Sequence, residues 1–287
     1  MLRAQVRRRT PRPVKRSARW LLGWGYWMRR RLRGKPSVAR SAQAGGGVQA
    51  AVGSVTLPAD APDAMVARNE HGYYCVPRSS QHRPVSRAIL ASRVWEAETL
   101  DLVRGSDADG DVVHAGTFFG DFIPALAQSR SAGALVWAFE PNRENYECAR
   151  TTIELNHLEN VTLRNAGLDA KSGTALLATT DRTGLPLGGA SRVIRDRTRA
   201  HWSENEEVSL VAIDDVVASD RRVAVIQLDV EGHEQEALTG AMRTVTRCRP
   251  LLVLETPPPP EWIEEHLEPL GYHVAGTVDA NTVLRAD

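Results

Sequence analysis

From about residue 85 onward, short apolar runs alternate with amphipathic stretches. Asp111-Val112-Val113-His114-Ala115 predicts a buried strand, and the stretch from Asp121 to Gln128, after a glycine-bearing turn, predicts a helix. Ala134 to Phe139 predicts a second strand, and beyond Pro141 a helix capped by Asn142 places Tyr146, Ala149 and Ile153 on one face. Val161 to Leu163 predicts a third strand. Val223 to Leu228, a nearly continuous apolar run, reads as a central parallel strand. A helical face of Ala237, Leu238, Ala241, Met242 and Val245 follows, then a fifth strand over Leu251 to Leu254 and a helix over Trp262 to Leu270. This order predicts an α/β fold with a mostly parallel, doubly wound sheet covered by helices on both faces. Residues 172–211 interrupt the alternation. Thr174 to Ala178 and Val208 to Val211 predict strands, and the polar segment between them predicts a loop or lid over one end of the sheet.

Composition changes this picture at the N-terminus only. The 287 residues are 42% hydrophobic and 25% charged, the balance of an ordinary globular protein. The net charge of +1 conceals two halves. Residues 1–59 carry 14 Lys and Arg and no acid, whereas residues 60–287 carry 22 against 35 acids. The first 59 residues therefore read as a basic, tryptophan-containing arm with a Gly/Ala/Ser linker, expected to be disordered or partly helical. Its apolar stretch from Trp20 to Met28 falls well short of the ~20 residues needed to span a bilayer, and Arg29-Arg30-Arg31 stands where a signal-peptide cleavage site belongs. A cytoplasmic protein is expected, the arm touching anionic membrane at most weakly and peripherally; no nucleic-acid partner is expected. Residues 60–105 are read as a cover segment and residues 106–287 as the main domain, with the excursion at 172–211 inside it. Cys75, Cys148 and Cys248 are scattered, so neither a disulfide framework nor a thiolate zinc site is expected, and no metal ligands are read from the sequence.

Ligands of such sheets sit beyond the carboxyl ends of the strands, and four of those ends carry chemistry. His114-Ala115-Gly116-Thr117-Phe118-Phe119-Gly120-Asp121 gives a turn in which Gly116 permits close approach of a ligand and Gly120 close packing of a helix. Glu140, twenty residues past Gly120, ends the second strand before Pro141 and Asn142, where an acid can accept from both hydroxyls of a ribose. Gly167-Leu168 forms a small-residue turn suited to the edge of an adenine. Asp229-Val230-Glu231-Gly232-His233-Glu234 puts three acids and a histidine at the mouth of a buried strand.

Val112 to Asp121, Ala138-Phe139-Glu140-Pro141, Asn156 with Asn160-Val161, the Asp229 to Glu234 stretch, and Arg249-Pro250 with Glu255 together resemble the FkbM family of S-adenosylmethionine-dependent methyltransferases. The resemblance covers roughly residues 95–275. It implies a Rossmann-like fold, S-adenosylmethionine as cofactor, and transfer of a methyl group to a hydroxyl of a small molecule, sugar or natural product. The expected cofactor contacts are His114, Gly116, Thr117, Phe118, Gly120, Asp121, Glu140, Pro141, Asn142, Gly167, Leu168 and Asp229. The family's first loop usually carries Asp where this chain has His114. His233 is expected as the base that removes the hydroxyl proton and Asp229 as the group that orients it, the reverse assignment remaining open. Two alternatives stand beside this reading: a cofactor-binding module without turnover, and a nicotinamide-dependent oxidoreductase.

Overall fold

The computed structural model describes residues 55–194 and 204–287. The expectations for the basic arm up to residue 54, and those for residues 195–203, lie outside these residues. In chain order the strands and helices are β1 (Ala64–Asn69), β2 (Gly72–Pro77), α1 (Pro84–Leu90), α2 (Ala97–Arg104), β3 (Asp111–Ala115), α3 (Ile123–Gln128), β4 (Val136–Phe139), α4 (Arg143–Leu155), β5 (Val161–Arg164) and β6 (Gly167–Leu168). They continue with β7 (Gly173–Ala178), β8 (Arg192–Val193), β9 (Asn205–Val211), α5 (Ile213–Val216), β10 (Val223–Leu228), α6 (Glu234–Thr239), α7 (Met242–Cys248), β11 (Leu251–Leu254), α8 (Pro260–His266), β12 (Tyr272–Val278) and β13 (Asn281–Ala286).

The main sheet runs β12-β13-β11-β10-β3-β4-β5. The five strands from β11 to β5 are parallel, and β13 and β12 add an antiparallel edge on the β11 side. From β3 the chain steps outward through β4 to β5, then returns across β3 to lay down β10 and β11. The reversal falls between β3 and β10, where an open α/β sheet forms its ligand crevice. Burial explains why these strands sit where they do. Val112, Val113, Val223, Val225, Ile226, Leu228, Leu252, Val253 and Leu254 are all fully enclosed, and a strand apolar on both faces has no solvated side to turn outward. The base of β3 is locked differently. Buried Asp111 accepts from Trp137 Nε1 at 2.8 Å, from the Leu135 amide at 2.9 Å and from Arg221 Nε at 2.8 Å, so its charge is hydrogen-bonded on every side.

The N-terminal cover is a β1-β2 hairpin lying on α4. Asn156 clasps it, its Oδ1 accepting from the Tyr73 amide at 2.9 Å and its Nδ2 donating to the Tyr73 and Thr152 carbonyls at 2.7 Å. Tyr74 is buried with its hydroxyl on Asn69. The hairpin thus covers a helix, while α2 reaches the sheet itself through Leu100 and Val103.

Several elements differ from expectation. The buried face of α4 is Asn145, Cys148, Ala149 and Thr152, rotated from the predicted Tyr146-Ala149-Ile153 face because the polar Asn145 and Thr152 have partners within the fold. The single helix predicted over 237–245 is two short ones, α6 and α7, meeting at Gly240 and Ala241. Within the excursion at 172–211 both expected strands form, as β7 and β9; beyond expectation they pair antiparallel and, with β6 and β8, make a second sheet ordered β6-β9-β7-β8.

Candidate functional site

The turn after β3 is stapled to the end of β4. The Gly116 and Thr117 amides donate to the Phe139 carbonyl at 3.2 and 3.3 Å, and the Phe118 amide donates to Glu140 Oε2 at 2.8 Å. Gly116 is required here. Its φ is +81°, and a Cβ added to it would lie 1.8 Å from the Asp229 carbonyl oxygen. The first turn therefore lies bare against the end of β10, itself tied back by the Asp229 amide on the Ala115 carbonyl at 3.0 Å.

Glu140 is the hub of the adjoining strand end. Only 4% exposed, it takes the Phe118 amide on Oε2, and on Oε1 the Asn142 amide at 2.9 Å with the Asn145 side chain at 3.4 Å. Burial pushes its carboxyl up to about 7, against the pull of those amide donors. Asn142 caps α4 by accepting from the Asn145 amide at 3.0 Å. Asn165 ties the strand end down from the other side, donating to the carbonyls of Glu140 and Pro141.

A cleft opens between these ends. Gly116, Glu140 and Pro141 form one side of its lining, Gly167 and Leu168 another, and Asp229 and His233 a third. The excursion supplies Gly189, Ser191 and Val193. The structure thus brings together seven of the residues singled out in the sequence.

The remaining six lie behind the wall. His114 is 3% exposed, with Nδ1 paired to Gln227 Oε1 on neighbouring β10 and its ring stacked on Phe122 at 5.6 Å. Burial lowers its pKa to about 4, so it is neutral. It is buried in the core, held by Gln227 of β10 and by Phe122 at the start of α3, whereas Gly116 follows the end of β3 and meets the cleft. Thr117 bonds back to the His114 carbonyl, and the Phe118 ring packs on the Gly188-Gly189 turn. Gly120 (φ +86°) abuts Thr152, and Asn142 is occupied as a cap. Asp121 stands at the far end of the loop, its carboxyl raised to about 7 by burial, with Glu96 adding to the effect.

At the mouth of β10, His233 forms the N-cap of α6 and is 7% exposed. Its Nε2 lies 2.7 Å from Asp169 Oδ2, and its Nδ1 lies 4.0 Å from Glu236 Oε2. The carboxylate that orients this imidazole is Asp169, not the expected Asp229. Asp169 directly follows Gly167-Leu168, which the structure makes strand β6 beside β9 and not the expected turn, so its position in the sequence was a usable signal; the pairing itself crosses 64 residues. Asp229 is directed instead toward Glu255, and its pKa is raised well above the carboxylate range by burial and by Glu255, Glu231 and Glu96.

This combination of parallel sheet, switch-point crevice, glycine turn and strand-end acid defines a Rossmann-like nucleotide-cofactor fold of the methyltransferase type. Residues 113–274 match the model of the methyltransferase FkbM domain, more than half of the chain. The chain belongs to the FkbM family of methyltransferases, enzymes dependent on S-adenosylmethionine, and the nicotinamide alternative falls away. Similar solved structures include a methyltransferase FkbM from Methylobacillus flagellatus KT, 16% identical over 62% of this chain and 43% of that one, with a TM-score of 0.42. This chain thus spans less than half the length of that relative. Another is TYW2 from M. jannaschii in complex with AdoMet, 15% identical over 78% of this chain and 84% of that one, with a TM-score of 0.41. No curated protein matches the chain. Among the described residues no helix is long and apolar enough to cross a membrane.

Proposed function

We propose that the protein transfers a methyl group from S-adenosylmethionine to a hydroxyl of a small-molecule or saccharide acceptor, using the cleft at the β3/β10 switch point. The residues there suit the cofactor. The turn at Gly116 lines the cleft and closes against the Asp229 carbonyl as only a glycine can. Glu140 Oε2, which takes the Phe118 amide, keeps a lone pair for a ribose hydroxyl, and Oε1 can take a second one in place of the long Asn145 bond. Gly167, Leu168 and Pro141 offer a small apolar edge for the adenine. The sulfonium methyl of the bound cofactor is the electrophile, so the chain's own residues mainly hold the acceptor oxygen in line and take its proton.

The observation that carries transfer to oxygen is the His233–Asp169 pair. A hydroxyl is a poor nucleophile until a base takes its proton. With Asp169 accepting from Nε2–H, the imidazole lone pair resides on Nδ1, which takes the hydroxyl proton as the oxygen takes the methyl. The resulting imidazolium lies between Asp169 and Glu236, both favourable to its charge. Asp229 lines the same wall and positions the acceptor.

The test is formation of S-adenosylhomocysteine over a panel of hydroxylated small molecules and saccharides, followed by His233→Ala and Asp169→Asn on the best acceptor. Each variant is expected to bind S-adenosylmethionine normally and to lose ~10²–10⁴-fold in turnover. Wild-type turnover in both variants, or a product methylated on nitrogen or carbon, would overturn the reading.

A further inference from the structure

We propose that the mouths of β10 and β11 carry a binding site for a divalent cation of the hard, oxygen-seeking class (Mg²⁺, Mn²⁺ or Ca²⁺), formed by Asp229, Glu231 and Glu255. Each of the three offers a carboxylate oxygen, and these oxygens lie within 4.8 Å of one another. Such ions bind oxygen at ~2.0–2.6 Å, which keeps oxygens sharing an ion within ~5 Å. The spacing is set by the sheet. Asp229 and Glu255 directly follow two parallel strands whose last residues, Leu228 and Leu254, are partners in register, and the Glu255 amide is bonded to the Leu228 carbonyl at 3.0 Å.

A fourth carboxylate supplies the independent observation. Glu234 is 1% exposed and turned back to this mouth: its Oε1 takes the amide of Val230, the residue between Asp229 and Glu231. Its Oε2 is shielded from solvent and has no hydrogen-bond partner. A carboxylate oxygen sealed in without a partner, beside three other acids, is costly unless positive charge arrives. Glu234 then acts as an outer carboxylate and the other three as ligands.

Asp229 belongs to both this cluster and the cleft, so the ion sits at the border of the cofactor site. On the hydroxyl-transfer reading above, on which this consequence alone rests, a cation there polarises the acceptor oxygen and lowers the pKa of its hydroxyl. Binding of the ion does not depend on that reading.

The experiment titrates the metal-stripped full chain with MnCl₂, reading free Mn²⁺ by electron paramagnetic resonance, and with MgCl₂ and CaCl₂ by calorimetry. Neither methyl donor nor acceptor is present, so failure here leaves the transfer reading untouched, and failure of that reading leaves this site untouched. One Mn²⁺ per chain is expected, in the micromolar to low-millimolar range. Glu255→Gln and Glu231→Gln are expected to weaken it about tenfold or more, while Glu261→Gln, on the exposed face of α8, leaves it unchanged. Loss of a repelling charge should also raise the melting temperature of the metal-free Glu255→Gln and Glu231→Gln variants while removing the rise that metal gives the wild type. A variant that had merely misfolded would melt lower. No Mn²⁺ binding by the wild type at millimolar concentration, or equal binding by all three variants, would overturn the site.

Discussion

Replacing Gly116 by alanine separates the close approach of β3 and β10 from ordinary glycine conformational cost. A residue with a Cβ held in the left-handed region loses ~1–2 kcal/mol. At Gly116 that Cβ would also sit 1.8 Å from the Asp229 carbonyl oxygen and 2.8 Å from its carbon. Asp229 has to retreat by more than an ångström, and its amide bond to the Ala115 carbonyl, worth ~1 kcal/mol, goes with it. The total is about 2–4 kcal/mol, or roughly 5–15 °C in melting temperature for a domain of this size. Gly133 is the matched control: its φ is +90°, but nothing lies within 4 Å of an added Cβ. Gly133→Ala therefore pays the conformational cost alone, about 1–2 kcal/mol. Thermal and urea denaturation of the two variants read the difference, and calorimetry with S-adenosylmethionine should show weakened binding for Gly116→Ala only. Equal stability losses with equal, undiminished cofactor affinity would refute the argument that this turn is pressed against β10 to shape the cleft.

Two further outcomes follow from buried polar groups. Glu140 and Asp121 have carboxyls raised to about 7, so their protonated forms stabilise the fold at low pH, and that stability is lost as pH rises through 7; buried neutral His114, lowered to about 4, contributes in the opposite sense, its stability being lost as pH falls below 6.5. Asp229 and Glu234 are raised in the same sense, so with four carboxyls against one imidazole the ligand-free protein should melt higher at pH 6 than at pH 8, and Asp121→Asn should flatten the slope; a melting temperature that climbs from pH 6 to 8 would contradict this. Asn156→Ala removes the two hydrogen bonds that tie Tyr73 of the β1-β2 hairpin to the end of α4 and should cost about 1–3 kcal/mol in chemical denaturation, a loss below 0.5 kcal/mol showing that this clasp does not hold the hairpin.

How much of this was legible in the sequence depends on where each element buries itself. The strands β3, β10 and β11 have the bounds their apolar runs predict, because burial on both faces writes a continuous hydrophobic signal ended by a glycine or an acid. The edge hairpin of β12 and β13 was missed. Its His273, Thr277 and Gly276 are solvent-facing or irregular positions, and the register slips between Val274 and Gly276, which erases a clean alternation. Half-exposed β7 and β9 were seen as strands, but their pairing is a matter of register that neither segment records alone. The site residues divide in the same way. Gly116, Glu140 and Asp229 stand next to strand ends, so the topology carries them to the cleft. The partners of His233 and Glu140 are set by contacts across elements, and Asp169 and the Phe118 amide appear only once the chain is folded. His114 illustrates the limit most plainly: it occupies the position of a cofactor contact in the motif, yet its ring is buried against Phe122 and paired to Gln227 of β10, contacts that appear only once the chain is folded.

The central claim is that the crevice between the ends of β3, β4 and β10 holds S-adenosylmethionine. A crystal structure of the protein grown with S-adenosylhomocysteine tests it most directly. The account predicts the ribose hydroxyls on the Glu140 carboxylate, the adenine beside Leu168, and the amino-acid end over the bare turn at Gly116. A nucleoside bound elsewhere, with Glu140 still closed on the Phe118 and Asn142 amides alone, would contradict it.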